Sequence, residues 1–195
     1  QGGATRIECC RLLKTTALLK TVSGSWPRLR LNHQTKLLEE SSDVEAFDAV
    51  AVGLRGDEEG SRSKERYISP RNASGQWDIS NQPAELWKVF ADQVPEEGSV
   101  RVHPILDWCE LDIWQYIEQE KIPVTDLYFD HGKGTRYRSL GCATCTNSIF
   151  SNATSPTEIV AELKSSLANV AERSGRAQDS EDSGGLETLR RNGYM

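Results

Sequence analysis

The sequence predicts an α/β domain, a mainly parallel sheet flanked by helices, followed by an extended helical and irregular C-terminal region. Three observations lead there. Phe47–Leu54 (FDAVAVGL) is a compact apolar run, the best candidate for a buried parallel strand. Val100–Ile105 (VRVHPI) is a second strand candidate, ended by Pro104. Helical patterns lie between and beyond these runs, and strands alternating with helices indicate a parallel sheet.

The elements follow in order. Ile7–Val22 reads as a helix, with Leu12, Leu13 and Leu19 near helical spacing. Ser23–Asn32, with Gly24 and Pro27, reads as a loop, and Gln34–Glu40 as a short helix. Ser69–Gln82 is a polar surface loop carrying Trp77, and Pro83 opens a helix over Ala84–Val94. Asp107 and Glu110 form a D-x-x-E start for a helix containing Leu111, Trp114 and Ile117, which ends before Pro123. A loop through Gly132–Gly134 leads to a turn at Cys142 and Cys145. Ser155, Pro156 and Glu158 supply a cap, a first-turn proline and a reciprocal carboxylate. The helix they open carries Ile159, Val160, Leu163, Leu167 and Val170 on one face. Beyond Glu172 the chain turns polar, a tail expected to be loosely packed or held by a partner. The sequence thus divides at residue 150: residues 1–150 form an α/β domain, and 151–195 a C-terminal helix and polar tail.

Composition bounds the function. At 195 residues, 37% hydrophobic and 27% charged, the chain has ordinary globular values and enough length for one domain with a core. No apolar run approaches the roughly 20 residues that span a bilayer, and no signal-peptide pattern precedes the first helix, so the expected location is cytoplasmic. A net charge of -6 argues against a protein whose main business is coating nucleic acid. The sole methionine is Met195. Initiator-methionine removal requires a small second residue, so residues of the natural protein are expected upstream of Gln1.

The segment after the first strand, GLRGDEEGSRSKER (Gly53–Arg66), alternates cations and carboxylates. At a strand's C-terminal end this suits a nucleotide-phosphate site, because ligands of open α/β sheets bind there. Arginine pairs bidentately with phosphate or sulfate oxygens, and carboxylates hold Mg²⁺ or orient the cations. A solvated helix start laced with i,i+4 pairs such as Glu58–Arg62 explains the same composition. The cysteines leave alternatives open too. Five is an odd number with no secretory signature, which argues against a disulfide framework. Cys142 and Cys145 form a C-x-x-C whose sulfurs reach one face. With Cys9 and Cys10 they would supply four thiolates for a [4Fe–4S] cluster; otherwise they are free thiols and helix-facing core. Structural zinc is the lesser option, since adjacent cysteines make awkward tetrahedral ligands.

GLRGDEEGSRSKERYISPRNASGQWD is similar to the G-x-R-R-D-E-x-x-x-R-x-K-E-R…S-x-R…W-[DN] signature of the small subunits of heterodimeric sulfate adenylyltransferases. That family lies in the N-type ATP pyrophosphatase superfamily, shared with phosphoadenylylsulfate reductases. The similarity continues through PAELW (Pro83–Trp87), Val100–Ile117, Ile122–Phe129, RYRSLGC (Arg136–Cys142), ERSGRAQD (Glu172–Asp179) and the terminal NGYM. It covers roughly residues 7–195, apart from a poorly matched stretch around Ser23–Ala46.

The resemblance implies an adenine nucleotide alpha hydrolase-like fold and the reaction of ATP with sulfate to give adenylyl sulfate and pyrophosphate. It implies Arg55, Arg62, Lys64 and Arg66 for anion stabilisation, and Asp57 and Glu58 for Mg²⁺ or for orienting those cations. Gly53, Arg136 and Arg138 would contribute to the nucleotide or anion site, with surface solvation the plain alternative for the two arginines. A GTPase large subunit would be the partner, with the tail from Arg173 onward a candidate docking element. Two departures matter. The family's S-G-G-K-[DT]-S phosphate loop has no counterpart in the sequence, which implies that this chain alone is inactive. Gly56 stands where the family has a second arginine, which weakens one anion contact. The C-C…C-x-x-C pattern also resembles the cluster motif of adenylylsulfate reductases, although no cysteine follows Cys145. An Fe–S reductase-like or nucleic-acid thiolation enzyme is therefore the alternative, and a non-catalytic, partner-binding remnant the third reading. Cys109 is expected to be core, His103 and His131 to pack or face solvent, and Trp77, Trp87, Trp108 and Trp114 to build core and subunit interface.

Overall fold

In a computed structural model, residues 8–25, 28–31, 34–35, 37–41, 45–87, 89–90, 94–168, 170–175 and 183–193 are described. The chain forms two compact units, each discontinuous in sequence. The first comprises Gln1–Gly53, Glu65–Pro104 and Glu187–Met195; the second comprises Leu54–Lys64 and Ile105–Leu186.

The first unit opens on a helix from residue 8, with a π-helical turn over Arg11–Thr15 before α1 (Thr16–Val22). β1 (Arg28–Leu31) pairs antiparallel with β2 (Leu38–Ser41), Arg28 opposite Ser41 and Leu31 opposite Leu38. The expected loop over Ser23–Asn32 thus contains a strand, and the expected helix over Gln34–Glu40 gives way to a turn and a strand. The hairpin satisfies across the ladder the backbone groups that a one-turn helix leaves unpaired.

β3 (Ala49–Ala51), β4 (Ile68–Arg71) and β5 (Ser99–Val102) make a sheet in the order β3-β5-β4. β3 runs parallel to β5 and β4 antiparallel to it. The expected buried strand is an edge strand among the described residues: Ala49 and Ala51 are exposed and only Val50 is partly covered. The expected helix over Ala84–Val94 is absent from its described part, where Leu86 bridges Val89 around Trp87. Trp87 has φ +50°, a left-handed conformation that ends helices, and it is 91% exposed. The adjacent Glu85 carboxylate accepts the backbone N–H groups of Tyr67 and Ile68, both at 2.8 Å.

One face of β4 and β5 is polar and buried. Strand side chains alternate between faces, so Ser69 and Arg71 share a side with Ser99 and Arg101, and Ser69 lies opposite Arg101. All four are buried, as are Glu65 and His103. This inverts the usual rule that a buried sheet face is apolar.

The second unit is built on two packed helices, α2 (Glu110–Glu120) and α3 (Pro156–Lys164). Trp114, Ala153, Ile159, Val160 and Leu163 form their core, with Leu111, Ile117, Tyr128, Phe129 and Leu167 partly buried against it. Trp114 meets the edges of Tyr128 at 5.4 Å and Phe129 at 6.3 Å, the favoured aromatic geometry. α2 is capped two residues later than the D-x-x-E pattern suggests: Cys109 is the N-cap, and the Asp112 carboxylate accepts its N–H at 2.7 Å. The helix closes on Lys121 in the left-handed conformation, two residues before Pro123. α3 starts as read, Ser155 accepting from the N–H of Glu158 with Pro156 in the first turn, while the Glu158 carboxylate caps the N–H of Thr154 instead. α3 stops at Lys164, so Leu167 and Val170 lie beyond it.

β6 (Thr135–Arg136) and β7 (Ile149–Phe150) form a short antiparallel ribbon. A helix α4 (Ser183–Arg191) ends the chain. The expected loose tail is in fact partly structured: Arg173 and Arg190 are buried, and residues 176–182 lie outside the described residues.

Candidate active site

The charged segment folds as turns and one 3₁₀ turn, Arg62–Lys64. The N–H of Gly56 donates to the carbonyl of Leu106 at 2.8 Å, and the Glu59 carboxylate takes the N–H of Ser61 at 2.9 Å. These contacts hold the RGDE run against the second unit's own residues, where it builds a charge network.

Arg55 is 7% exposed and donates through Nε to Asp57 Oδ1 at 3.0 Å and through a terminal nitrogen to Glu172. The other Asp57 oxygen, Oδ2, accepts the N–H of Glu110 at 3.0 Å, so Asp57 caps α2 across the fold. Glu58 accepts from Arg62 on Oε2 and from Arg173 on Oε1, the latter at 3.2 Å. Arg138 forks onto Glu110 (Nε to Oε1 3.0 Å, a terminal nitrogen to Oε2 2.7 Å) and donates to the carbonyl of Val170 at 2.8 Å. Each guanidinium thus has a carboxylate, and each carboxylate a guanidinium.

Burial sets the ionisation here. Burial of the Arg55 guanidinium disfavours its charge, but Glu172, Asp57 and Glu58 outweigh that and hold its pKa above the ordinary value. Glu172 goes the other way. Burial first, and then Glu110 and Glu58, push its carboxyl up to about 7 against the pull of Arg55.

Of the residues singled out in the sequence, Arg55, Asp57, Glu58 and Arg62 come together in this network. Lys64 is exposed on the 3₁₀ turn. Gly53, just past β3, and Arg66 belong to the first unit. Arg136 and Arg138 are buried rather than solvated, which removes the surface reading. Arg136 donates to Ser151 Oγ at 2.8 Å and to Glu162 Oε2 at 3.0 Å.

Asp57 and Glu58 use both carboxylate oxygens on N–H donors, the arrangement of groups that orient cations rather than of an open metal site. All five cysteines are thiols. Cys142 and Cys145 do turn their sulfurs to one side, at 4.0 and 3.8 Å from the Thr144 hydroxyl. Cys9 is exposed and Cys10 buried in the first unit's opening helix. Among the described residues no group of three or more His, Cys, Asp or Glu is arranged to hold a metal ion. Nor is any described helix long and apolar enough to cross a membrane. His103 is buried, with Nδ1–H donating to the carbonyl of Arg66 at 2.7 Å, and His131 is exposed.

An α/β unit whose acid–base network is threaded through an RGDE turn is consistent with the signature read from the sequence, and residues 4–148 match the model of the phosphoadenosine phosphosulfate reductase domain family, to which the chain belongs. It is similar to sulfate adenylyltransferase subunit 2 of Rhizobium tropici, 38% identical across 83% of this chain and 59% of the relative. The same named protein of Brucella ovis is 38% identical across 81% and 61%. The chain therefore spans about three-fifths of the length of the curated relatives it matches.

Sequence reasoning missed the far half of the network. Glu172 and Arg173 were read as part of a polar tail, and Glu110 as a cap. An Glu-Arg pair at 172–173, mirroring the Arg-Gly-Asp-Glu run in charge, was the available signal.

Proposed function

We propose that this chain is the nucleotide-handling part of a sulfate adenylyltransferase, acting on ATP and sulfate with Mg²⁺ and working with a large subunit that hydrolyses GTP. The observation that carries it is the 38% identity to sulfate adenylyltransferase subunit 2 across 83% of this chain. The ordered RGDE network supports it. In this reaction a sulfate oxygen attacks the α-phosphorus in line. The S–O–P bond forms as the bond to the bridging oxygen breaks, pyrophosphate leaves, and nothing is oxidised or reduced. Sulfate is a weak nucleophile, so rate comes from positioning and charge stabilisation rather than from a covalent intermediate. Mg²⁺ bound with the nucleotide would neutralise phosphate oxygens.

In this reading Arg55, Arg62, Lys64 and Arg66 face the anionic reactants, with Gly53, Arg136 and Arg138 shaping the nucleotide side. Asp57 and Glu58 orient the guanidiniums. The site operates in the cytoplasm. The test is pyrophosphate release from ATP by the full-length protein plus large subunit, with and without sulfate. Release that ignores sulfate would sink the proposal. Arg55→Gln should lower kcat/KM by about 10²-fold or more.

A second reading, an Fe–S enzyme of the same superfamily, is favoured by one observation: the paired sulfurs of Cys142 and Cys145 at Thr144. No step is derived through a cluster. Iron, sulfide and absorbance near 400 nm in protein purified without oxygen support it; a colourless, iron-free preparation removes it.

A further inference from the structure

Among the described residues, the polar face of β4 and β5 carries more positive than negative charge. Arg71 donates to Glu65 Oε1 at 2.9 Å and to Ser69 Oγ at 2.7 Å. Arg190, from the end of α4, donates to the same Glu65 oxygen. Both guanidiniums lie over the Trp77 ring, 5.2 and 5.6 Å from its centroid, and the backbone N–H of Trp77 donates to the carbonyl of Arg191 at 3.0 Å. Arg101 stands beside them on β5 and has no ion pair among the described residues. Its two terminal nitrogens are buried without a hydrogen-bond partner, as are Nε and one terminal nitrogen of Arg190.

Three guanidiniums therefore share one carboxylate, and each of the four side chains is 2% exposed. Burial, reinforced by Arg101 and Arg190 against the pull of Glu65, brings Arg71 down to about 10. Burial also lowers His103, which with Nδ1–H committed to a carbonyl adds no compensating charge. An uncompensated charge inside a protein costs several kcal/mol, and planar guanidiniums with unpaired N–H groups match tetrahedral oxyanions.

We propose that Arg101, Arg71 and Arg190 form a buried binding site for a doubly charged tetrahedral oxyanion of the sulfate or phosphate class. Two negative charges match the excess, and several oxygens match the unpaired N–H groups of Arg101 and Arg190. A monovalent halide offers neither. The site lies wholly within the first unit and shares no residue with the Arg55 network, so it does not rest on the adenylyl-transfer reading. An anion held here is enclosed by the Arg190 end of α4, and binding registers as stability of the folded chain.

The experiment is thermal unfolding of the purified protein with low-millimolar sodium sulfate, sodium phosphate or sodium chloride at matched ionic strength, with equilibrium dialysis of labelled sulfate. Sulfate or phosphate should raise Tm by on the order of 3 °C or more over chloride. The more effective of the two identifies the ligand. Arg101→Met should weaken uptake by about tenfold or more, while Arg11→Gln, at an exposed arginine of the opening helix, keeps it. Sulfate stabilises many proteins non-specifically at high concentration, and the Arg101→Met comparison removes that contribution. If Arg101→Met does not fold, Arg190→Met takes its place. Equal responses to all three salts, or undiminished uptake in the folded variant, would overturn the proposal.

Discussion

Two clusters of buried arginine, one in each unit, solve the same problem differently. In the second unit Arg55, Arg62, Arg138 and Arg173 face Asp57, Glu58, Glu110 and Glu172, and charge is matched. In the first, Arg71 and Arg190 share Glu65, and Arg101 has no ion pair among the described residues. A balanced network needs no bound anion to neutralise it, and here it holds a backbone turn and orients guanidiniums. An unbalanced one is complete only with something else. Burying arginine is thus not by itself a sign of ligand binding; the arithmetic of partners separates the two cases.

The sharpest way to break the comparison is to remove the lone carboxylate. Glu65→Gln leaves Arg71 and Arg190 buried against a neutral amide and should cost about 3–5 kcal/mol in urea unfolding. A loss under about 1 kcal/mol would mean that the cluster is already neutralised in some other way. In the balanced network the single change is milder. Glu110→Gln keeps the shape but breaks the fork with Arg138, and should cost about 2–3 kcal/mol. Pairing it with Arg138→Met should recover part of that loss, since the double variant no longer buries a lone charge.

How far the sequence revealed these clusters depends on the distance between partners. The RGDE segment stood out because its charges alternate within a few residues. Its partner Glu172 lies 117 positions downstream, and no local pattern ties the two. The α3 start was plain from Ser155, Pro156 and Glu158, because capping is local chemistry. The β1–β2 hairpin was not, because pairing across a turn leaves only weak periodicity in four-residue strands. Helical propensity likewise misled at Ala84–Val94, where the left-handed Trp87 and the grip of Glu85 on the adjoining strand override it. The polar sheet face was partly legible: in VRVH, Arg101 and His103 alternate with valines, and the alternation does not say which set faces inward. Only the fold shows that the charged set is buried, together with Val100 on the other face.

Glu172 gives the comparison a pH axis. Its carboxyl is raised from an ordinary value of 4.5 to about 7, so the native state binds the proton more tightly than the unfolded chain. The stability it contributes is fully present below pH 4.5 and is lost as pH rises through 7. On the order of 3 kcal/mol should disappear across that window. Glu172→Gln should flatten this part of the profile, measured by urea unfolding at successive pH values. The Glu65 cluster behaves in the opposite sense. Burial would raise the Glu65 carboxyl, but Arg71 and Arg190 overcome it and hold it below the ordinary range, so its contribution is lost only as pH falls below that range.

The smallest expected effect separates the two clusters most cleanly. Arg101→Met removes a guanidinium whose terminal nitrogens have no partner, and puts an unbranched apolar chain where the arginine stem ran. Packing lost and desolvation relieved act in opposite directions, so in buffer free of sulfate and phosphate the change should lie within about 1 kcal/mol of zero. The same substitution at Arg138, whose partner Glu110 would be left buried and alone, should cost several times more. If Arg101→Met in that buffer proves as costly as Arg138→Met, Arg101 has a counter-charge within the folded chain, and the first unit's cluster is balanced after all.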